Sequence, residues 1–144
     1  MTRRAGRLEL VYDLCQAIGI RPDSKYQNEG VPGVPGVHRI VGLLRDVIPA
    51  SSVTGAVRSF FEAVTYTWLI GGSDAHAKNY SLLLAGSDVA LAPMYDVASD
   101  LPYRTASLHK LRLAMKYAGD YTLRERTSSM RVSSPPSSGC PSTK

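Results

Sequence analysis

Cysteine is scarce: the 144 residues hold two, Cys15 and Cys140, and neither has a metal-ligating companion at short spacing. That excludes a disulfide framework and a zinc knuckle, and it favours reduced thiols in a cytoplasmic setting. Long apolar runs are missing, so no segment reads as a membrane span. The opening "MTRRAGRLELVYDL" has acidic Glu9 and Asp13 and lacks the apolar core and cleavage site of a secretory leader. No Gly-x-Gly-x-x-Gly and no Gly-x-x-x-x-Gly-Lys-Ser/Thr occurs, so a glycine-rich phosphate cradle is absent. Residues 30–36, "GVPGVPG", space their glycines regularly, but each proline removes an N–H that a phosphate would need. A dense Lys/Arg stripe with interleaved aromatics is also missing. The net charge is +5, and Arg124, Arg126, Arg131 and Lys144 against Glu125 place +3 of it in residues 124–144. Direct nucleic-acid binding therefore has little support beyond loose attraction of phosphates to that tail.

What remains is ordinary globular composition, 44% hydrophobic and 20% charged, enough for one domain with a modest core. Residues 8–18 read as a helix, with Leu8, Val11, Leu14, Cys15 and Ile18 on one face and Gly19 ending it. Residues 21–37 form a Pro/Gly loop in which the valines suggest partial packing. A second helix is predicted over 38–46, stopped by Pro49. A third is predicted over 51–70, capped by Ser51 or Ser52. Its broad apolar face of Val57, Phe60, Phe61, Val64, Trp68 and Leu69 predicts burial. "YSLLL" and "VALAPMY" read as a hairpin turning at residues 85–88, with Asp96 closing the second strand. Residues 107–118 fit a helix or a strand; alternation in "LRLAMKY" favours the strand. The organised domain is predicted over residues 8–127. Residues 128–144, rich in Ser and Pro, are predicted to be disordered.

The chemistry concentrates in "GGSDAHAKNYSLLL" and "LAPMYDVAS". Taken singly, Asp74 after two glycines reads as a turn cap, His76 as a packed boundary histidine, Lys78 as a solvated charge and Asn79 as a turn residue. Taken together, a carboxylate and a carboxamide five residues apart, with Asp96 returning on the hairpin, are the parts that phosphoryl transfer to a hydroxyl requires. One carboxylate orients the hydroxyl and accepts its proton, while a carboxamide oxygen and a second carboxylate suit Mg2+, a hard cation. The Asp-to-Asn offset matches that of a protein-kinase catalytic loop. The usual His-Arg before the aspartate is replaced by Gly72-Ser73, and the glycine of the later metal motif is absent.

"FFEAVTYTWLIGGSDAHAKNYSLLL", "LAPMYDVASDLPY", "KLRLAMKYAGDY" and the upstream "YDLCQAIGIRPDSKYQNEGVPG" together resemble the C-terminal lobe of the HipA family, over about residues 8–123. Those proteins are serine/threonine kinases, the toxins of bacterial toxin–antitoxin pairs. The resemblance implies a mainly α lobe with a small β-hairpin, an incomplete kinase fold, using ATP and Mg2+ on a protein substrate. It implies Asp74 as catalytic base and Asn79 and Asp96 as magnesium ligands. Lys78 is a loop residue that could pair with phosphate or with Asp74, and His76 is expected to pack the loop. Lys116 resembles a family lysine to which no role carries over. The family's N-terminal portion supplies the ATP-contacting lysine, the phosphate-covering loop and the hinge, and residues 1–7 leave no room for them. The chain alone is therefore expected to be inactive, with a separately encoded N-terminal lobe or an antitoxin as partner. Two alternatives stand beside this. One is a non-catalytic antitoxin-binding or regulatory fragment. The other is a metal-dependent hydrolase using Asp74, His76 and Asp96, which lacks a close second histidine.

Overall fold

A capping box decides where the first helix starts. In the computed structural model, which describes residues 2–4, 7–27, 33–103, 111–117 and 119–122, the Asp13 side chain accepts from the Gln16 N–H at 2.8 Å. The Gln16 side chain returns to accept from the Asp13 N–H at 3.2 Å. Helix α1 is therefore short, Leu14–Ile18, and Gly19 ends it in the left-handed region at φ 74°. The predicted helix over residues 8–13 is corrected: Arg7–Asp13 is strand β2, after strand β1 at Thr2–Arg4. The same apolar residues that step by three and four also tolerate an extended chain, and a strand partner on each side decides between the two.

That partner is strand β3, Ser81–Ala85, which continues through a turn into strand β4, Asp88–Leu91. Leu10 faces Leu84, Tyr12 faces Leu82 and Asp13 faces Ser81 in an antiparallel register. The four strands form one sheet in the order β1-β2-β3-β4, and strands β5, Arg112–Tyr117, and β6, Asp120–Thr122, form a second. The hairpin and the strand reading of "LRLAMKY" thus hold, but β4 stops at Leu91 and residues 92–99 run irregularly to Asp96 and beyond.

Two longer helices lie between β2 and β3. Helix α2, Val37–Val47, ends at Ile48 before Pro49, and helix α3, Ala50–Leu69, follows at once. No side-chain cap opens α3; Pro49 occupies the cap position, where its fixed φ suits the entry, and neither Ser51 nor Ser52 is needed. The core gathers Leu14, Cys15, Ile40, Leu44, Phe60, Val64, Ala77, Tyr80, Leu82 and Met115. Phe60 is fully buried and its ring meets that of Tyr80 edge-on at 5.2 Å; burial of such a side chain stabilises by about 1.5–3 kcal/mol. Only part of the predicted α3 face is buried. Phe60, Val64 and Thr67 turn inward, while Phe61 and Leu69 stay 45% and 60% exposed, because one helix face of this width cannot all reach one core. The result is a mixed α/β fold, helices with two small antiparallel sheets. The predicted domain limit at residue 127 and the predicted disordered tail, residues 128–144, lie outside the described residues.

Candidate active site

The C-terminus of α3 leads directly into the site, and two glycines make the passage possible. Gly71 sits at φ 64°, and a Cβ there would lie 2.8 Å from Leu101 Cγ. At Gly72 a Cβ would stand 3.0 Å from the Ala98 carbonyl oxygen. Side chains at these positions would push residues 98–101 away from the loop that carries Asp74.

After the glycines the chain makes a bonded loop. The His76 N–H donates to the Asp74 carbonyl at 2.9 Å and also to Asn79 Oδ1 at 3.1 Å. The Asn79 N–H returns to the His76 carbonyl at 2.9 Å. Residues 77–79 are a single 3-10 turn, and β3 begins two residues after Asn79. Ala77, Asn79 and Tyr80 are buried, so the loop is packed from beneath while Asp74 projects into solvent.

The second segment approaches from the other side and is held by side chains. Tyr95 Oη donates to the Lys78 carbonyl at 2.5 Å and lies 2.7 Å from Ser81 Oγ. Ser99 donates its hydroxyl to the Ile70 carbonyl, and Ser73 donates to Asp100. Between these anchors Asp96 adopts φ 54°, the one non-glycine residue with positive φ among the described residues. Aspartate tolerates this region better than most side chains, and such conformations concentrate at functional sites. The Asp96 carboxylate accepts from Asn79 Nδ2 at 2.9 Å. Asp74, Asn79, Asp96 and Asp100 then line one small cavity of about 60 Å³.

Three of the four site residues singled out from sequence therefore come together, and Lys78 does not join them. Lys78 is half-buried and is absent from the cavity wall; its charge acts on Cys15 and His76. His76 packs under the loop, 5% exposed, with the Tyr26 ring edge-on at 5.2 Å. Burial pushes its pKa down, assisted by Lys25, against the opposing pull of Asp74. Its Nε2 is 3.8 Å from Asp74 Oδ1. No group of three or more His, Cys, Asp or Glu side chains suited to a metal ion occurs among the described residues.

Magnesium makes a different demand. It takes one or two carboxylates and retains several waters. Asp96 offers a carboxylate and Asn79 a carboxamide oxygen to one cavity, so the donor chemistry fits. Asn79 Oδ1 faces the His76 N–H and Nδ2 faces Asp96. Ligation through Oδ1 would use its second lone pair or exchange these bonds.

Sequence reasoning missed Tyr26, whose hydroxyl donates to Asp74 Oδ1 at 2.5 Å across 48 positions of chain. It also missed Tyr95 and Ser73. Only the tyrosine in "MYDVAS" carried a signal, an aromatic with a polar tip beside a candidate ligand.

The arrangement of helices and two small antiparallel sheets matches that of a HipA-like C-terminal lobe. A family model described as "HipA-like C-terminal domain" matches residues 3–138, and the chain belongs to that family. It is 34% identical over 115 residues to "Putative kinase Y4mE" of Sinorhizobium fredii, covering 78% of this chain and 25% of that protein. It is 33% identical over 94 residues to "Putative kinase Y4dM" of the same organism, covering 65% and 20% respectively. The chain thus spans a quarter or less of these curated relatives. The fold also matches a chain in the Shewanella oneidensis MR-1 toxin–antitoxin complex of HipA, HipB and operator DNA. There the TM-score is 0.66 at 21% identity, over 85% of this chain and 30% of that one.

Proposed function

We propose that this chain carries the catalytic and metal-holding loops of a HipA-like serine/threonine protein kinase. The observation that carries the reading is the convergence of Asp74, Asn79 and Asp96 on one cavity from two separate segments. Asp74 orients a substrate hydroxyl and takes its proton as the hydroxyl oxygen bonds to the γ-phosphorus of ATP and the bond to the β,γ-bridging oxygen breaks, releasing ADP. Asp96 and Asn79 would hold Mg2+. When bound, the ion neutralises charge on the phosphates. Asn79 keeps the two segments together through Asp96, and the packed 3-10 turn beneath it fixes that geometry.

The contacts for adenine and for the α/β-phosphates come, in this proposal, from residues outside this chain. Its sequence holds no glycine-rich cradle, and it corresponds to a quarter or less of its kinase-named relatives. An antitoxin of the HipB kind is proposed as a partner on the likeness to the complexed Shewanella fold. Radiolabelled phosphate transfer tests the reading. The chain alone should transfer nothing measurable. Supplied with a nucleotide-binding lobe from a relative, it should phosphorylate serine or threonine, and Asp74→Asn should lower turnover by roughly 10²–10⁴ with nucleotide affinity unchanged. Transfer that survives Asp74→Asn removes Asp74 as the base.

A further inference from the structure

The carboxylate of Asp74 is exposed, with its side chain 67% accessible. A free aspartate side chain samples several rotamers, and a base must be held in one. The neighbouring His76 Nε2 at 3.8 Å is too distant to hold it. The Tyr26 hydroxyl at 2.5 Å is not.

Tyr26 is exposed, but the backbone on both sides of it is bonded. The Lys25 carbonyl accepts from the Ala77 N–H of the catalytic loop at 3.3 Å, and the Gln27 N–H donates to the Ala114 carbonyl at 3.0 Å. Gln27 Oε1 accepts from the Lys116 N–H at 2.9 Å, and the Gln27 carbonyl accepts from Tyr121 Oη at 2.7 Å. The residues on both sides of Tyr26 are thus bonded, one to the catalytic loop and the other to the second sheet. The ring is braced edge-on by His76, and Lys25 Nζ lies 5.0 Å from its centroid. A tyrosine mounted in this way loses little further freedom when it binds a carboxylate.

We propose that Tyr26 is a positioning residue for Asp74: its hydroxyl fixes Oδ1 and leaves Oδ2 as the oxygen that receives the substrate proton. The role rests on the kinase reading above; the contact does not. The hydrogen bond to Asp74 is the leading cause that raises the Tyr26 phenol above its ordinary value, followed by burial and the Asp74 charge.

Two measurements test it separately. In the chain itself, tyrosines labelled with 13C at Cζ are followed by NMR as pH rises, with Tyr26→Phe assigning the resonance. The Tyr26 signal should titrate above 10.0 and move down in Asp74→Asn. Lys25 and His76 are present in each variant, so the difference isolates Asp74. In the lobe-supplemented kinase, Tyr26→Phe should lower turnover roughly ten- to hundredfold with KM for ATP unchanged. It should have no further effect in Asp74→Asn. Identical Tyr26 titration with and without Asp74 overturns the contact, and parent-level turnover in Tyr26→Phe overturns the role. Absent transfer in every assembly, with the titration coupling intact, overturns the kinase reading and the positioning role with it while the contact stands.

Discussion

The loop of residues 71–80 and the segment of residues 94–100 each bring oxygen-bearing side chains to one cavity, by opposite means. The loop is bonded within itself, from His76 to Asp74 and Asn79, with its underside buried, and Lys25 and Tyr26 add bonds from outside it. The segment has no regular structure and hangs from side-chain anchors, Tyr95 on Lys78 and Ser81, Ser99 on Ile70, and Asp100 on Ser73. A self-bonded loop can be placed by local sequence. A hung segment is placed only by what it hangs from, and its position is therefore open to single substitutions far from the ligand.

Where the two regions touch, the largest effect on stability is expected. Gly71→Ala forces a side chain to φ 64° and into Leu101. The left-handed conformation costs about 1–2 kcal/mol and the overpacking about 1–3 kcal/mol more. Urea unfolding should show the sum as a lower midpoint at unchanged slope. A midpoint equal to that of the parent would mean the regions are not in contact.

A smaller effect should follow from cutting one anchor of the segment. Tyr95→Phe leaves the Lys78 carbonyl and buried Ser81 Oγ without the phenol, at a cost of about 1–2 kcal/mol. It should also loosen Asp96, seen as faster amide exchange at residues 95–98 than at residues 76–80. Equal acceleration in both would erase the distinction between the hung segment and the self-held loop.

The smallest effect concerns the loop alone and depends on pH. Burial holds the folded pKa of His76 below 6.5. Below that value the unfolded chain takes up a proton that the folded chain resists, so the contribution is whole above pH 6.5 and is lost as pH falls. Comparing unfolding at mildly acidic and mildly alkaline pH, His76→Gln should decline less than the parent. An equal decline would show that His76 charges freely in the folded state.

The same contrast explains what was legible in the sequence. The Asp74–Asn79 offset could be read because a loop bonded within six residues keeps its chemistry local. The two long helices were placed within a residue or two by their apolar period and by Pro49. Residues 8–13 went wrong because their spacing served two conformations, and strand pairing with residues 81–84 chose between them. The Asp13-to-Gln16 box, visible in sequence, marked the true helix start. Asp96 was identified, yet its approach was misdrawn as the end of a strand, since the bonds that hold residues 94–100 join positions up to 29 apart. Tyr26 was beyond reach, for a contact across 48 positions leaves no local pattern.

The claim on which the rest stands is that these two regions share one divalent cation. Mn2+, a paramagnetic stand-in for Mg2+ with the same preference for oxygen, should be titrated into the isotope-labelled chain while amide signals are monitored. Broadening should centre on Asn79 and Asp96, be competed away by Mg2+ and be lost in Asp96→Asn, where the variant still offers an acceptor to Asn79. Broadening centred on other carboxylates, or unchanged by Asp96→Asn, would contradict it.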